Sequence, residues 1–116
     1  MAPRGAIDCH AHVFGTESKY PYSPARGYTS PDASLETYLA VLDVLAIERA
    51  VLTQPSVYGT DNSAMLDAMA RHPGRILGVA AVDAGVTEGE LMDLDAKGVR
   101  GVRVNLADKG GNPSTA

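Results

Sequence analysis

Two histidines two residues apart, His10 and His12, stand at the end of a short apolar-flanked run, Ile7 to His12 (IDCHAH). Side chains alternate across a β-strand, so the pattern puts Asp8, His10 and His12 on one face and Cys9 and Ala11 on the other. Neutral imidazoles leaving one strand end together can ligate a single divalent metal or polarise a substrate carbonyl directly. The plainer alternative is a pair of ordinary histidines at a strand end. With Cys9 on the opposite face, a Cys–His nucleophilic dyad is disfavoured, and Cys9 is expected to be a small core residue. Asp8 could orient an imidazole from below or be a polar residue of the sheet layer.

A second chemical signal lies in Gly101 to Leu106 (GVRVNL). Val102, Val104 and Leu106 alternate with Arg103 and Asn105, so valines packed on helices would leave Arg103 on the other face. A guanidinium there suits bidentate capture of a carboxylate or phosphate; the competing expectation is pairing with an internal carboxylate such as Asp83. Ser56, after Gln54 and Pro55, has no base nearby in sequence and reads as a substrate hydrogen-bond donor rather than a nucleophile. Tyr20, Tyr22, Tyr28 and Tyr58 fall in loops after strands, as does Phe14, and are expected to help line a pocket. Lys19 and Arg26 share the first loop and would favour an anion, although each alone reads as a solvated charge. His72, before Pro73 at a helix end, reads as structural.

The elements that must position these residues alternate regularly. Ile7 to His12 is predicted as a strand, followed by a long polar, Pro-rich loop to about Pro31. A helix follows, with Leu35, Tyr38, Leu39, Leu42 and Leu45 on one face; Ser30 with Pro31, or Asp32, is the expected start. Arg49 to Gln54 is a second strand. Tyr58 to Asn62 caps a second helix through about Arg71, whose stripe is Met65, Leu66, Met69 and Ala70, and Pro73-Gly74 ends it. Ile76 to Val82 is a third, almost wholly apolar strand. A weaker helix from Thr87 to Lys97 turns Leu91 and Leu94 inward and stops at Gly98. Val99 to Leu106 is the fourth strand. This β-α-β-α-β-α-β order demands parallel strands and right-handed crossovers. Ala50, Ile76 and Val102 recur at a constant interval of 26 positions, which suits a barrel, although an open doubly wound sheet alternates in the same way. No Gly-x-Gly-x-x-Gly follows the first strand, which disfavours a dinucleotide site. A complete barrel needs about 250 residues, so the expected fold is α/β: about four βα units, the N-terminal half of a TIM-like (β/α)₈ barrel, with the 1–116 chain stopping inside the fourth βα-loop.

Composition sets outer bounds. Of 116 residues, 45% are hydrophobic and 21% charged, an ordinary globular balance. A net charge of −4 argues against a nucleic-acid surface. No run approaches the roughly 18 apolar residues of a membrane span, and no signal-peptide pattern opens the chain. Cys9 is the single cysteine, so a reducing, cytoplasmic setting is expected.

Four stretches together carry a family resemblance: Asp8 to Gly15 (DCHAHVFG), Tyr20 to Pro24 (YPYSP) with Tyr28, Gln54 to Asn62 (QPSVYGTDN), and Gly98 to Asn105 (GVRGVRVN). At these residues the chain resembles the amidohydrolase-2 group of the amidohydrolase superfamily, and most closely its 2-pyrone-4,6-dicarboxylate lactonases. The resemblance implies a distorted (β/α)₈ barrel hydrolysing a cyclic ester that bears carboxylates. It implies that His10 and His12 polarise the scissile carbonyl and that Tyr28, Ser56 and Arg103 contact the substrate, Arg103 through a carboxylate. Lys109 falls where the lactonases carry an arginine, which keeps the charge and loses the fork. Many relatives hold a divalent metal at the two histidines, whereas the lactonases resemble metal-independent enzymes, so either no cofactor or one zinc or manganese ion is expected. The family's water-activating aspartate ends the eighth strand and has no counterpart here, so the 116-residue chain alone is expected to be inactive. The competing expectations are a metal-dependent hydrolase or decarboxylase of the same superfamily, and a non-catalytic half-barrel module that binds a ligand or oligomerises through its open first and fourth strands.

Overall fold

The computed structural model describes residues 1–104. Its elements are β1 (Ile7–Ala11), α1 (Leu35–Leu45), β2 (Arg49–Thr53), a 3₁₀ turn (Ser56–Tyr58), α2 (Ser63–Arg71), β3 (Ile76–Ala81), α3 (Glu88–Ala96) and β4 (Val99–Arg103). The four strands form one parallel sheet in the order β1-β2-β3-β4. Each neighbour in sequence is a neighbour in space, with a helix in every crossover, as the alternation demands.

One face of the sheet carries the core. Ala50 and Leu52 of β2, Ile76 and Ala80 of β3, and Val99 of β4 are buried together with Leu35 and Leu42 of α1 and Met65, Ala68 and Met69 of α2. Gly78 of β3 lies on this face because two methionines of α2 occupy the space beside it: a Cβ there would sit 2.6 Å from Met69 Sδ and 3.0 Å from Met65 Cε. The methionines thus fill core, in keeping with their place in the apolar stripe of the second helix.

Three helix details differ from the expectations. The cap of α1 is Ser34, whose Oγ accepts the Thr37 N–H at 3.2 Å. Ser30 and Asp32 lie too early, because Phe14 and Ala33 exchange both backbone hydrogen bonds at 2.9 Å and hold the chain extended up to that point. In α2 the buried stripe is Ala64, Met65, Ala68 and Met69, with Leu66 half-buried and Ala70 exposed. Ala68 joins the two methionines in the core, while Ala64 packs on Val57 and Tyr58 of a second cluster. Leu91 of α3 is 40% exposed, and Leu94 alone of the expected pair packs on the core. That helix is held at its start by a reciprocal capping box between Thr87 and Glu90, and Gly98 (φ 100°) follows it, as expected of its stop.

Among the described residues no helix is long and apolar enough to cross a membrane.

Candidate active site

Backbone geometry at the ends of β1 and β2 creates the site. Asp8 pairs with Ala50 and Ala11 with Leu52, so three steps along β1 match two along β2. This bulge reverses the alternation between Asp8 and His10. Asp8 therefore lies on the helix side, where its Oδ2 accepts the Tyr38 hydroxyl of α1 at 2.6 Å. Ala11 packs on the core cluster, and His10 and His12, which flank it, leave by the opposite face. The expected shared face thus holds for the two histidines and fails for Asp8. Cys9, in the bulge, is exposed rather than core.

The imidazoles meet edge to face with ring centres 5.1 Å apart. His12 Nδ1 lies 2.7 Å from the Thr53 carbonyl oxygen. A carbonyl can only accept, so Nδ1 carries the proton, and in the neutral ring Nε2 presents its lone pair. Burial holds the His12 pKa below its ordinary value, opposing the Thr53 hydrogen bond, and the charges of His10 and Arg103 lower it further. At neutral pH His12 is accordingly an uncharged ring with Nε2 as acceptor. His10 is exposed on the open side of the pair.

Arg103, at the end of β4, reaches the same end of the sheet, where its Nη1 donates to the Gln54 carbonyl at 2.7 Å. Two consecutive residues thus anchor both groups, Thr53 at the end of β2 the imidazole on the β1 side and Gln54 just after it the guanidinium on the β3 side. The expectation that Arg103 faces away from the helix layer holds, although Val102 and Val104 are more than half exposed rather than packed on helices. Asp83, the alternative partner, accepts the N–H of Gly85 in its own turn at 2.9 Å.

The remaining expected residues are placed unevenly. Ser56 is buried at the start of the 3₁₀ turn that follows β2. Tyr28 is 41% exposed on the long β1–α1 loop. Lys109 and Asn105 lie outside the described residues. Tyr22 and Tyr58, expected to line a pocket, are instead the centre of a second apolar cluster with Val57 and Ala64, against which Phe14 and Tyr20 pack. Their hydroxyls are committed to the scaffold: Tyr58 accepts the Gly15 N–H at 3.0 Å, and Tyr22 donates to the Ser30 carbonyl at 2.8 Å. A long loop without secondary structure needs such an anchor, which these rings supply. Lys19 and Arg26 stack over Tyr20 and Tyr22, consistent with surface charges.

Three groups support the site through hydrogen bonds that the sequence pattern does not reveal. Tyr38 packs against the core as its helical position implies, and its phenol also donates to Asp8; burial, that hydrogen bond and the carboxylate charge all raise its pKa. Asn62 is the N-cap residue of α2, as the Tyr58 to Asn62 cap implied, but its side chain makes no cap hydrogen bond; its buried amide accepts the Ala81 N–H and donates to the Ala81 carbonyl, both at 2.9 Å, tying the β2–α2 loop to the end of β3. Gln54 donates to the Gly59 and Asp61 carbonyls and shapes the same loop.

Residues 7–116 match the family model described as amidohydrolase. A 4-sulfomuconolactone hydrolase of Rhizobium radiobacter is 48% identical over 87% of this chain and 34% of its own length. A 2-pyrone-4,6-dicarboxylate hydrolase of Comamonas testosteroni is 42% identical over 92% of this chain and 35% of its own. Among solved structures, a probable 2-pyrone-4,6-dicarboxylic acid hydrolase of Acinetobacter baumannii with citric acid bound superposes with a TM-score of 0.79 and 40% identity, over 86% of this chain and 37% of that one. The chain spans about a third of the length of the curated relatives it matches.

Proposed function

The chain belongs to the amidohydrolase family, and on that premise we propose that it forms the carbonyl- and carboxylate-binding part of a lactone hydrolase whose substrate is a small ring bearing carboxylates. The observation that carries this is the anchoring of His12 and Arg103 by the neighbouring carbonyls of Thr53 and Gln54. The uncharged His12 ring beside His10, with a fixed guanidinium at the same sheet end, suits a substrate that is electrophilic at one point and anionic at another. The lactone names of the relatives and the citric acid in the Acinetobacter protein support the same substrate class.

In this reading Arg103 holds a carboxylate, and Ser56 and Tyr28 add hydrogen bonds to the ring. With His12 Nε2 an acceptor, donation to the scissile carbonyl falls to His10, while His12 Nε2 accepts a hydrogen bond or ligates a metal. His10 and His12 would be two ligands of a divalent ion such as zinc or manganese. Their 5.1 Å ring separation fits, because two imidazoles sharing one ion through bonds of about 2.0–2.1 Å have centres roughly 5 Å apart. Bound there, the ion would supply Lewis-acid polarisation of the carbonyl. Among the described residues no group of three or more His, Cys, Asp or Glu side chains gathers at one point, so further ligands would come from elsewhere.

Hydrolysis also needs a base for water, and Asp8, the carboxylate nearest the pair in sequence, is engaged on the helix side. The polypeptide alone therefore binds such a substrate without turning it over. The test is a ring-opening assay with 2-pyrone-4,6-dicarboxylate on the purified polypeptide, beside calorimetric binding of the same compound. Turnover would overturn the missing base, and failure to bind would overturn the substrate class. Tight zinc or manganese binding abolished by His10→Asn would favour the metal-dependent form.

A non-catalytic alternative has one observation in its favour: β1 and β4 are edge strands among the described residues, and open edges invite pairing with a second copy. A discrete dimer by light scattering would support it, and a monomer at high concentration would count against it.

A further inference from the structure

We propose that Asp8 and Tyr38 are positioning residues for the histidine pair, the carboxylate clamping the β1 bulge that decides by which face His10 and His12 leave the sheet. The inference rests on the reading of those histidines as the reacting groups.

In a regular strand, residues 8, 10 and 12 share a face. Here Asp8 and Ala11 both lie toward the helices, Asp8 through its contact with α1 and Ala11 through its packing on the core. Their partners on β2, Ala50 and Leu52, are both buried on that side. If Asp8 kept its place and the bulge were removed, His10 and His12 would turn into the layer beneath α1, and Ala11 would take their place on the open face. One inserted residue therefore separates a usable histidine pair from a buried, unpartnered one.

A bulge withdraws an amide from the ladder, and that amide needs another acceptor. Asp8 supplies it: Oδ1 accepts the His10 N–H at 3.1 Å, a local side-chain turn across two residues. The other oxygen, Oδ2, accepts the Tyr38 hydroxyl at 2.6 Å. The carboxylate thus links the bulged backbone of β1, an edge strand among the described residues, to the first turn of α1, which is itself seated by Leu35 and Leu42 in the core. An alanine at position 8 would leave the His10 amide and the phenol without this shared acceptor. An asparagine would keep an oxygen for the amide and could donate to the phenol oxygen.

The test uses the 116-residue chain and three variants, Asp8→Ala, Asp8→Asn and Tyr38→Phe. The readouts are long-range ¹H–¹⁵N spectra of the imidazoles, ring-to-ring contacts between His10 and His12, and hydrogen exchange at the His10 amide. Asp8→Ala is expected to lower His10 amide protection about tenfold or more, the scale of one net hydrogen bond. It should also replace the single Nδ1–H tautomer of His12 by a mixture and abolish the ring contact, with α2 and β3 signals unchanged. Asp8→Asn should restore all three signatures, and Tyr38→Phe should lower the protection while keeping the tautomer. A folded Asp8→Ala chain with the wild-type tautomer and ring contact would overturn the proposal, as would an asparagine variant as perturbed as the alanine one. Should Asp8→Ala not fold, Tyr38→Phe decides: unchanged His10 protection refutes the clamp, and a fall supports it. These signals need no substrate, so failure of lactone binding would sink the functional reading and leave this one standing.

Discussion

Replacing Asn62 by alanine should cost this fold about 2–4 kcal/mol, most of it from backbone groups at the rim of the site rather than from the lost side chain. Asn62 is 8% exposed and Ala81 4% exposed. The amide satisfies both the N–H and the carbonyl of Ala81, each at 2.9 Å, and also donates to the Thr60 carbonyl at 3.1 Å. Truncation strands one buried donor and one buried acceptor at the end of β3. A stranded buried group costs about 1–3 kcal/mol, more than the net worth of the bond it lost, and partial access of water keeps the sum near the lower half of the range. Urea unfolding followed by circular dichroism reads the effect directly. With a slope of about 1–2 kcal/mol per molar urea for a chain of this size, the midpoint should fall by about 1–4 M. Asn62→Asp should be at least as damaging at neutral pH, because it turns a donor into a second acceptor facing two carbonyls. A midpoint within about 0.3 M of wild type for Asn62→Ala, at an unchanged slope, would show that the Ala81 groups find water at no cost and would refute the reasoning.

Ala46, the residue after α1, has φ 58°, a conformation in which Cβ crowds the backbone, so Ala46→Gly should raise stability by about 0.5–1 kcal/mol in the same urea assay. For His12 the sign follows from its lowered pKa: the unfolded chain binds the proton more readily, so the contribution to stability is complete above the ordinary value of 6.5 and is lost as pH falls through the folded value. Urea midpoints of the wild type should therefore drop faster below pH 6.5 than those of His12→Asn, and parallel curves would contradict the assignment. Arg103→Lys keeps the charge and loses the fork, so citrate or dicarboxylate binding by calorimetry should weaken about tenfold, or roughly 1.4 kcal/mol.

Much of the fold was legible because its signals are local and repeated. Apolar runs at Ile76 to Ala81 and Arg49 to Thr53, spaced by helical stripes, leave little freedom once right-handed crossovers are required. The pairing of His10 with His12 and the direction of Arg103 followed from strand alternation alone. Asp8 and Cys9 did not, because one inserted residue reverses the alternation and nothing in the pattern IDCHAH marks it. Burial of Tyr22 and Tyr58 was hidden for a related reason. Loop aromatics signal a pocket or an anchor equally well, and the Phe14–Ala33 bridge that closes this loop joins residues far apart in sequence. The part played by Asn62 is likewise a tertiary contact, made 19 residues along the chain at Ala81.

The central claim is that one carboxylate-bearing ring engages the histidine pair and the guanidinium at once. Titration of the ¹⁵N-labelled chain with 2-pyrone-4,6-dicarboxylate, following the His10 and His12 imidazoles and the Arg103 side-chain N–H groups together, tests it most directly. All three should shift along one isotherm with a common dissociation constant. Saturation that moves Arg103 while leaving both imidazoles untouched, or shifts confined to the α1–α2 side of the sheet, would contradict it.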